Sequence, residues 1–259
     1  MNARTLGVIG LAASLALCGC NTVKETGRSQ IAWMPEGMMN SLGASAYAEE
    51  TGRFPEITSG AQAQMLQRVG ERIAKASGRN YQWEFKLLDA PEVPNAFCLP
   101  GGKIAVYTGI LPITKNEDGL AAVIGHEVAH ATSHHGNERM TQGFVAQLGL
   151  AAAQVAVEGF TDADDATKAE IMGALGMASQ FGAILPFSRK HESEADEIGL
   201  RFLVRAGYDP NEAPRLWERM ARAFPNDTPE FMSTHPDPLA RAARLRDLIP
   251  KIVAEETGQ

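Results

Sequence analysis

The sequence predicts an α+β fold, mostly helical, with a small antiparallel sheet beside one central helix. Three observations carry that prediction. Apolar residues recur at helical spacing, as in Met65, Leu66, Val69, Ile73 and Ala76. Two short strand-like runs, Trp83 to Leu88 and Ile104 to Thr108, lie among Pro91, Pro94, Pro100 and Gly101-Gly102, which punctuate the chain. Lastly, the apolar run Ala122-Val123-Ile124-Gly125-His126-Glu127-Val128-Ala129-His130 reads as a helix and carries His-Glu-x-x-His.

Two histidines four apart on a helix share one face. Both imidazoles can then bind one Zn²⁺, with Glu127 beside them as general base. Zinc lowers the pKa of its water to about 7, so hydroxide is available at neutral pH. Three fixed residues in five are a weak signal alone, and the reading needs a third ligand. The segment Ser188-Arg189-Lys190-His191-Glu192-Ser193-Glu194-Ala195-Asp196 supplies it. As a helix over about 190–206, it places Glu192 and Asp196 on one stripe with Ala195, Gly199, Phe202, Leu203 and Ala206. Glu194, Glu197, Arg201 and Arg205 fall on the opposite, solvated side, where Glu197 and Arg201 have ion-pair spacing. Carboxylates facing a core need compensating charge. Zinc on His126, His130 and Glu192 provides it, one ion per chain. Asp196, one turn on, is placed to accept the N–H of a ligating histidine. The bland alternative for the pair is a helix end that binds Arg or Lys.

These motifs resemble the HtpX/BepA-type zinc metallopeptidases, a family that includes the CAAX prenyl proteases and a mitochondrial inner-membrane quality-control peptidase. Two further stretches match: Pro94-Asn95-Ala96-Phe97-Cys98-Leu99-Pro100-Gly101-Gly102, and Ser233-Thr234-His235-Pro236 followed by Arg241. The resemblance covers roughly residues 60–249 and implies a zincin-type metallopeptidase domain. It implies that the sheet edge holds substrate as an added strand, with Asn95 and Ala96 contributing. A turn role for Asn95 after Pro94 stays open. It also brings His235 toward the zinc, either to stabilise the oxyanion or to take the open coordination position. Arg241 then binds substrate backbone or braces its loop.

Taken in order, Arg4 and the apolar run Leu6 to Leu17 read as a signal peptide, too short to span a bilayer comfortably. Gly19 before Cys20 points to a lipoprotein cleaved and lipid-modified at Cys20, with an ordinary secretory signal or uncleaved anchor as the alternative. Residues 1–19 are then signal, and 20–59 a tether with a short helix near Glu36 to Glu50. Residues 60–254 form the peptidase domain. A long helix runs from Gly60 to Ser77 and stops at Gly78. The zinc helix starts near Asn116 and ends near Gly136; His134 and His135 are assigned no role. Residues 137–187 form a helical insert, a possible lid, whose apolar runs are each interrupted before a clean span. Gly207 stops the Glu192 helix, Asp209-Pro210 starts another, and Asp237-Pro238 starts the last, which ends at Pro250.

Composition bounds the function. The chain has 259 residues and a net charge of −7, with 44% hydrophobic residues. No basic stripe exists to neutralise phosphates, which argues against nucleic acid and against a polybasic grip on lipid. With Cys18 removed and Cys20 acylated, Cys98 is left unpaired, and burial in the strand region suits it better than nucleophilic chemistry. The expected function is a zinc endopeptidase acting on unfolded or misassembled envelope proteins, held to the periplasmic face of the outer membrane by its lipid. The alternative is a chaperone-like outer-membrane assembly factor whose zinc site is latent and regulated.

Overall fold

The computed structural model describes residues 20–145, 188–225, 231, 232, 235 and 237–258. The chain divides into a smaller unit, Met1–Val23, Gly27–Met34 and Gly136–Leu185, and a larger one, Lys24–Thr26, Pro35–His135 and Pro186–Gln259. In the smaller unit, β1 (Cys20–Thr22) and β2 (Ser29–Ile31) pair antiparallel, with Asn21 opposite Gln30. A plain tether was expected here. Gly27 adopts a left-handed φ of 70°, and its N–H donates to Val23 O at 2.8 Å, which folds the chain back. Arg28 pairs with Glu138 at 2.8 Å, and Asn137 bonds both the N–H and the carbonyl of Met34. Asn137 and Glu138 lie in helical residues 135–145; the remainder of the expected 137–187 insert lies outside the described residues, as does the expected signal segment 1–19. No described helix is long and apolar enough to cross a membrane.

The larger unit is built on a three-stranded sheet ordered β3 (Glu84–Leu88), β5 (Lys103–Tyr107), β4 (Ala96–Leu99). The expected antiparallel sheet is in fact mixed. β4 and β5 are antiparallel, with Ala96 opposite Val106, but β3 and β5 are parallel, with Phe85 opposite Ile104. The physical reason is length. A parallel partner needs a crossover of about a dozen residues, and residues 89–102 provide one, with β4 inside it. Gly101 and Gly102, at φ 85° and 83°, close the tight turn into β5.

Strand alternation sorts the sheet into two faces. On one, Tyr47 of α1 (Glu36–Thr51) packs with Leu88, Ala105 and Tyr107, joined by Phe54, Phe97 and Leu99. The Tyr47 hydroxyl donates to Ile104 O at 2.8 Å, tying α1 to the central strand. The other face carries Leu87, Ile104 and Val106, all buried. Against the sheet on its helical side lie α2 (Ala61–Ser77), touching β3, and α4 (Glu117–Thr132), touching β4. Short α3 (Leu111–Thr114) leads into α4. The layer is completed by α5 (Arg189–Ala206), α6 (Glu212–Ala223) and α7 (Pro238–Thr257). Fully buried Leu120, Ile124, Ile198 and Phe202 link these helices, each contributing roughly 1.5–3 kcal/mol by burial. The last helix passes through Pro250 instead of ending there. Pro250 is exposed, so the carbonyl it leaves unbonded is within reach of water.

Candidate metal centre

α4 starts on a side-chain cap: Asn116 accepts from Gly119 N at 2.8 Å, and Glu117 and Asp118 occupy the first turn. Every residue from Gly119 to Thr132 is buried. The helix therefore runs through the core, and its motif faces protein on all sides. It ends at Thr132, earlier than expected, because His134 takes a left-handed φ of 56°. Ser188 caps α5 by accepting from His191 N. α5 crosses α4 where Gly199 meets Gly125: a Cβ on Gly199 would lie 3.1 Å from His126 N. This close approach sets Glu192 against His126 and His130.

Four donors converge there. One ligand atom each from His126, His130, Glu192 and His235 lies within 4.8 Å of all the others, and all four residues are buried. His126 Nε2 and His130 Nε2 are 3.0 Å apart; Glu192 oxygens lie 3.2 Å from His130 Nε2 and 3.4 Å from His126 Nε2. Tetrahedral zinc with bonds of about 2.0–2.1 Å spaces its ligands at about 3.3 Å. The donor set fits that ion in kind and spacing. His235 Nδ1 sits 3.2 Å from His126 Nε2 and 3.0 Å from both Glu192 oxygens. The backbone N–H of His235 donates to Phe231 O at 2.9 Å, and the Phe231 ring stacks on Trp217. Ser233, Thr234 and Pro236 lie outside the described residues.

Glu127 is buried, and its Oε1 lies 3.4 Å from His235 Nε2, without hydrogen-bond geometry to any described residue. Burial raises its pKa against the lowering effect of His235 and His126. Glu192 is held below the usual carboxylate range: burial opposes this, but His235 and His130, with hydrogen bonds from both α4 histidines, outweigh it.

Each α4 histidine has its own support. Asp196 Oδ1 lies 3.2 Å from His126 Nδ1. Arg241, buried over the Trp217 ring at 3.5 Å, donates through Nε to Asp196 at 2.9 Å and reaches Glu192 at 2.8 Å. Arg241 was expected to bind substrate or brace its loop; its guanidinium faces inward, onto Asp196, Glu192 and His126. Burial and Arg241 lower the His126 pKa, yet hydrogen bonds to Asp196 and Glu192 prevail and raise it to about 9. His130 is lowered well below its usual value, chiefly by burial. Its Nδ1 faces His135 Nδ1 at 2.9 Å, and His135 Nε2 faces Glu194 Oε2 at 2.9 Å. Sequence reasoning missed both partners. It assigned Glu194 to the solvated side, but Glu194 is 6% exposed and His135 fully buried. α5 buries two sides, His191/Glu194/Ile198 as well as Glu192/Asp196/Gly199.

Asn95 is buried just before β4; its Oδ1 accepts from Ala96 N at 2.8 Å, and its carbonyl accepts from Tyr107 N. Ala96 is buried and opens β4, the edge strand packed on α4. Among the described residues the outer edge of β4 has no sheet partner. Cys98 on that strand is a free thiol whose pKa burial raises well above the ordinary value. The Cys20 side chain lies outside the described residues.

The model of the family described as Peptidase family M48 matches residues 60–249. Mitochondrial metalloendopeptidase OMA1 of Schizosaccharomyces pombe is 40% identical over 200 residues, 74% of this chain and 55% of that protein. The Arabidopsis thaliana protein of the same name is 37% identical over 187 residues, 70% of this chain and 36% of its own length. Beta-barrel assembly-enhancing protease of Escherichia coli (strain K12) is 27% identical over 243 residues, covering 92% of this chain and 49% of that protein. The chain thus spans about a third to about half of the length of these relatives. It belongs to peptidase family M48, the zinc metallopeptidases.

Proposed function

We propose that this chain is a zinc endopeptidase that cleaves unfolded or misassembled proteins of the bacterial envelope, held to the outer membrane by a lipid on Cys20. The observation that carries the peptidase chemistry is the convergence of His126, His130 and Glu192 with Glu127 one residue away. Bound zinc would supply an activated water and polarise the peptide carbonyl. His126, His130 and Glu192 would hold the ion. Glu127, buried next to His126 and within 3.4 Å of His235 Nε2, would take the proton of the attacking water and later give it to the leaving amine. The edge of β4 beside α4, which has no sheet partner among the described residues, supports an extended substrate, bound through main-chain hydrogen bonds that tolerate many sequences. The envelope setting is supported by the Gly19-Cys20 signature and by the relative named for β-barrel assembly.

One observation favours the latent reading: His235 Nδ1 already stands as a fourth donor. In that reading His235→Ala raises proteolysis; a fall would instead assign His235 a part in catalysis. The primary test is cleavage of an unfolded model protein by zinc-loaded chain, with a chelator and Glu127→Gln as controls. Loss of cleavage in both establishes the peptidase chemistry. Cleavage that survives Glu127→Gln sinks the role given to that carboxylate. Radiolabelled palmitate incorporation, abolished by Cys20→Ala, tests the anchor separately.

A further inference from the structure

Beyond the donor set, one line of side chains runs from His130 to the turn before β2. His130 Nδ1 meets His135 Nδ1, His135 Nε2 meets Glu194 Oε2, and Glu194 Oε1 accepts from the Thr26 hydroxyl. His135 also stacks on His191, ring centroids 4.5 Å apart, which fixes its plane. The break at His134 makes this possible. On an unbroken helix, residue 135 would stand about 140° around from residue 130; the left-handed turn brings it back.

The bonds have one consistent direction. If His130 Nε2 is to offer a lone pair to a metal, its proton sits on Nδ1 and donates to His135 Nδ1. His135 then carries its proton on Nε2 and donates it to Glu194. The carboxylate ends the line as an acceptor twice over. Reversing either histidine link puts a proton on His130 Nε2, where it would face His126 Nε2 at 3.0 Å and exclude a metal.

We propose that His135 and Glu194 are positioning residues for the peptidase reaction, fixing the tautomer and ring orientation of His130 through a His130–His135–Glu194 relay. The proposal rests on the reading of His126, His130 and Glu192 as zinc ligands. Neither residue touches substrate; both act through His130. Outer partners of this kind change metal affinity by about 10–100-fold.

The test uses the full chain with His135→Phe, which keeps the ring, Glu194→Met, which removes the acceptor, and Glu194→Gln, whose amide oxygen can still accept from His135. Zinc affinity is measured by competition with a chromogenic chelator, and the cobalt-substituted protein is followed by its visible absorption. His135→Phe and Glu194→Met are expected to weaken zinc binding by about 10–100-fold and shift the cobalt bands. Glu194→Gln is expected to restore both toward wild type, a rescue that bulk packing does not explain. Should His135→Phe not fold, the Met and Gln pair at 194 decides. Zinc affinity within twofold of wild type and unshifted bands in Glu194→Met overturn the relay. Wild type that binds no zinc, or His130→Ala that binds it unchanged, overturns the ligand reading instead.

Discussion

His126 and His130 lie one turn apart on α4, each 3% exposed, and stand in opposite surroundings. His126 looks outward from the donor set to a charged arm, Asp196 backed by Arg241. His130 looks to another imidazole, with the carboxylate of Glu194 one ring further away. The consequence is electrostatic. His126 is raised to about 9 and carries a proton at neutral pH, whereas His130 is lowered well below its usual value and stays neutral. Without metal, the site therefore holds one positive imidazole beside the Glu192 carboxylate. The difference teaches that two histidines of one motif can divide the work: one holds the carboxylates by charge, and the other offers a lone pair.

The sharpest way to break this contrast is to remove the cation behind one arm. Arg241→Met leaves Asp196 and Glu192 buried without their guanidinium, and losing one partner of a buried pair costs about 3–5 kcal/mol. Thermal unfolding of the metal-free chain should show it. The same measurement on Glu194→Gln should show a smaller loss, about 1–3 kcal/mol, since one hydrogen bond is weakened and no charge is stranded. Equal losses would mean that the arms do not differ in kind.

Next in size, Asp196→Asn should lower zinc affinity by about 10–100-fold, read by chelator competition. It should also bring the His126 pKa down, visible in the imidazole NMR titration of the metal-free chain. An unmoved titration would remove Asp196 as its cause.

The pH dependence sharpens the contrast further. A raised histidine pKa stabilises the metal-free fold fully below the unfolded value of 6.5, and that stability is lost as pH rises through about 9. Zinc must displace the same proton. Close to one proton should leave per zinc bound near pH 7.5, and affinity should climb about tenfold per pH unit until about pH 9. Calorimetry in buffers of different ionisation enthalpy checks the count; no net release at pH 7.5 contradicts it. Smallest of all, Glu197→Gln on the outer side of α5 weakens a 3.1 Å pair with Arg201 that Glu255 and Glu256 also serve. It should cost under about 1 kcal/mol and leave zinc affinity unchanged.

The same contrast marks what the sequence made legible. Glu192 and Asp196 were readable because both sit on the apolar stripe of α5, where a carboxylate demands a reason. α2, with Gly78 at its end, was readable from spacing and a stop residue. β4 was readable only through the family resemblance, since Pro94 and Pro100 bracket a strand only four residues long. The parallel pairing of β3 with β5 was not, because register and direction depend on contacts across the sheet. His135 and Glu194 escaped because no spacing rule joins residues across a left-handed break, and because the face of α5 bearing Glu194 is buried beside Thr26. The one available hint was density: His134, His135 and His191 crowd the two segments that carry the ligands.

The crossing at Gly125 and Gly199 bears on how tightly the donor set is spaced. At this crossing Gly199 lies against the backbone of Gly125 and His126, with Leu203 closing on Gly125, and the gap between Glu192 and the two imidazoles is ruled by that contact. A methyl group at 199 would push the helices apart by a few tenths of an ångström. A shift of that size would stretch the 3.2–3.4 Å spacing of Glu192 from the two imidazoles, which matches what bonds of about 2.0–2.1 Å to zinc require. A residue that touches neither metal nor substrate thus acts as the gauge of the donor set.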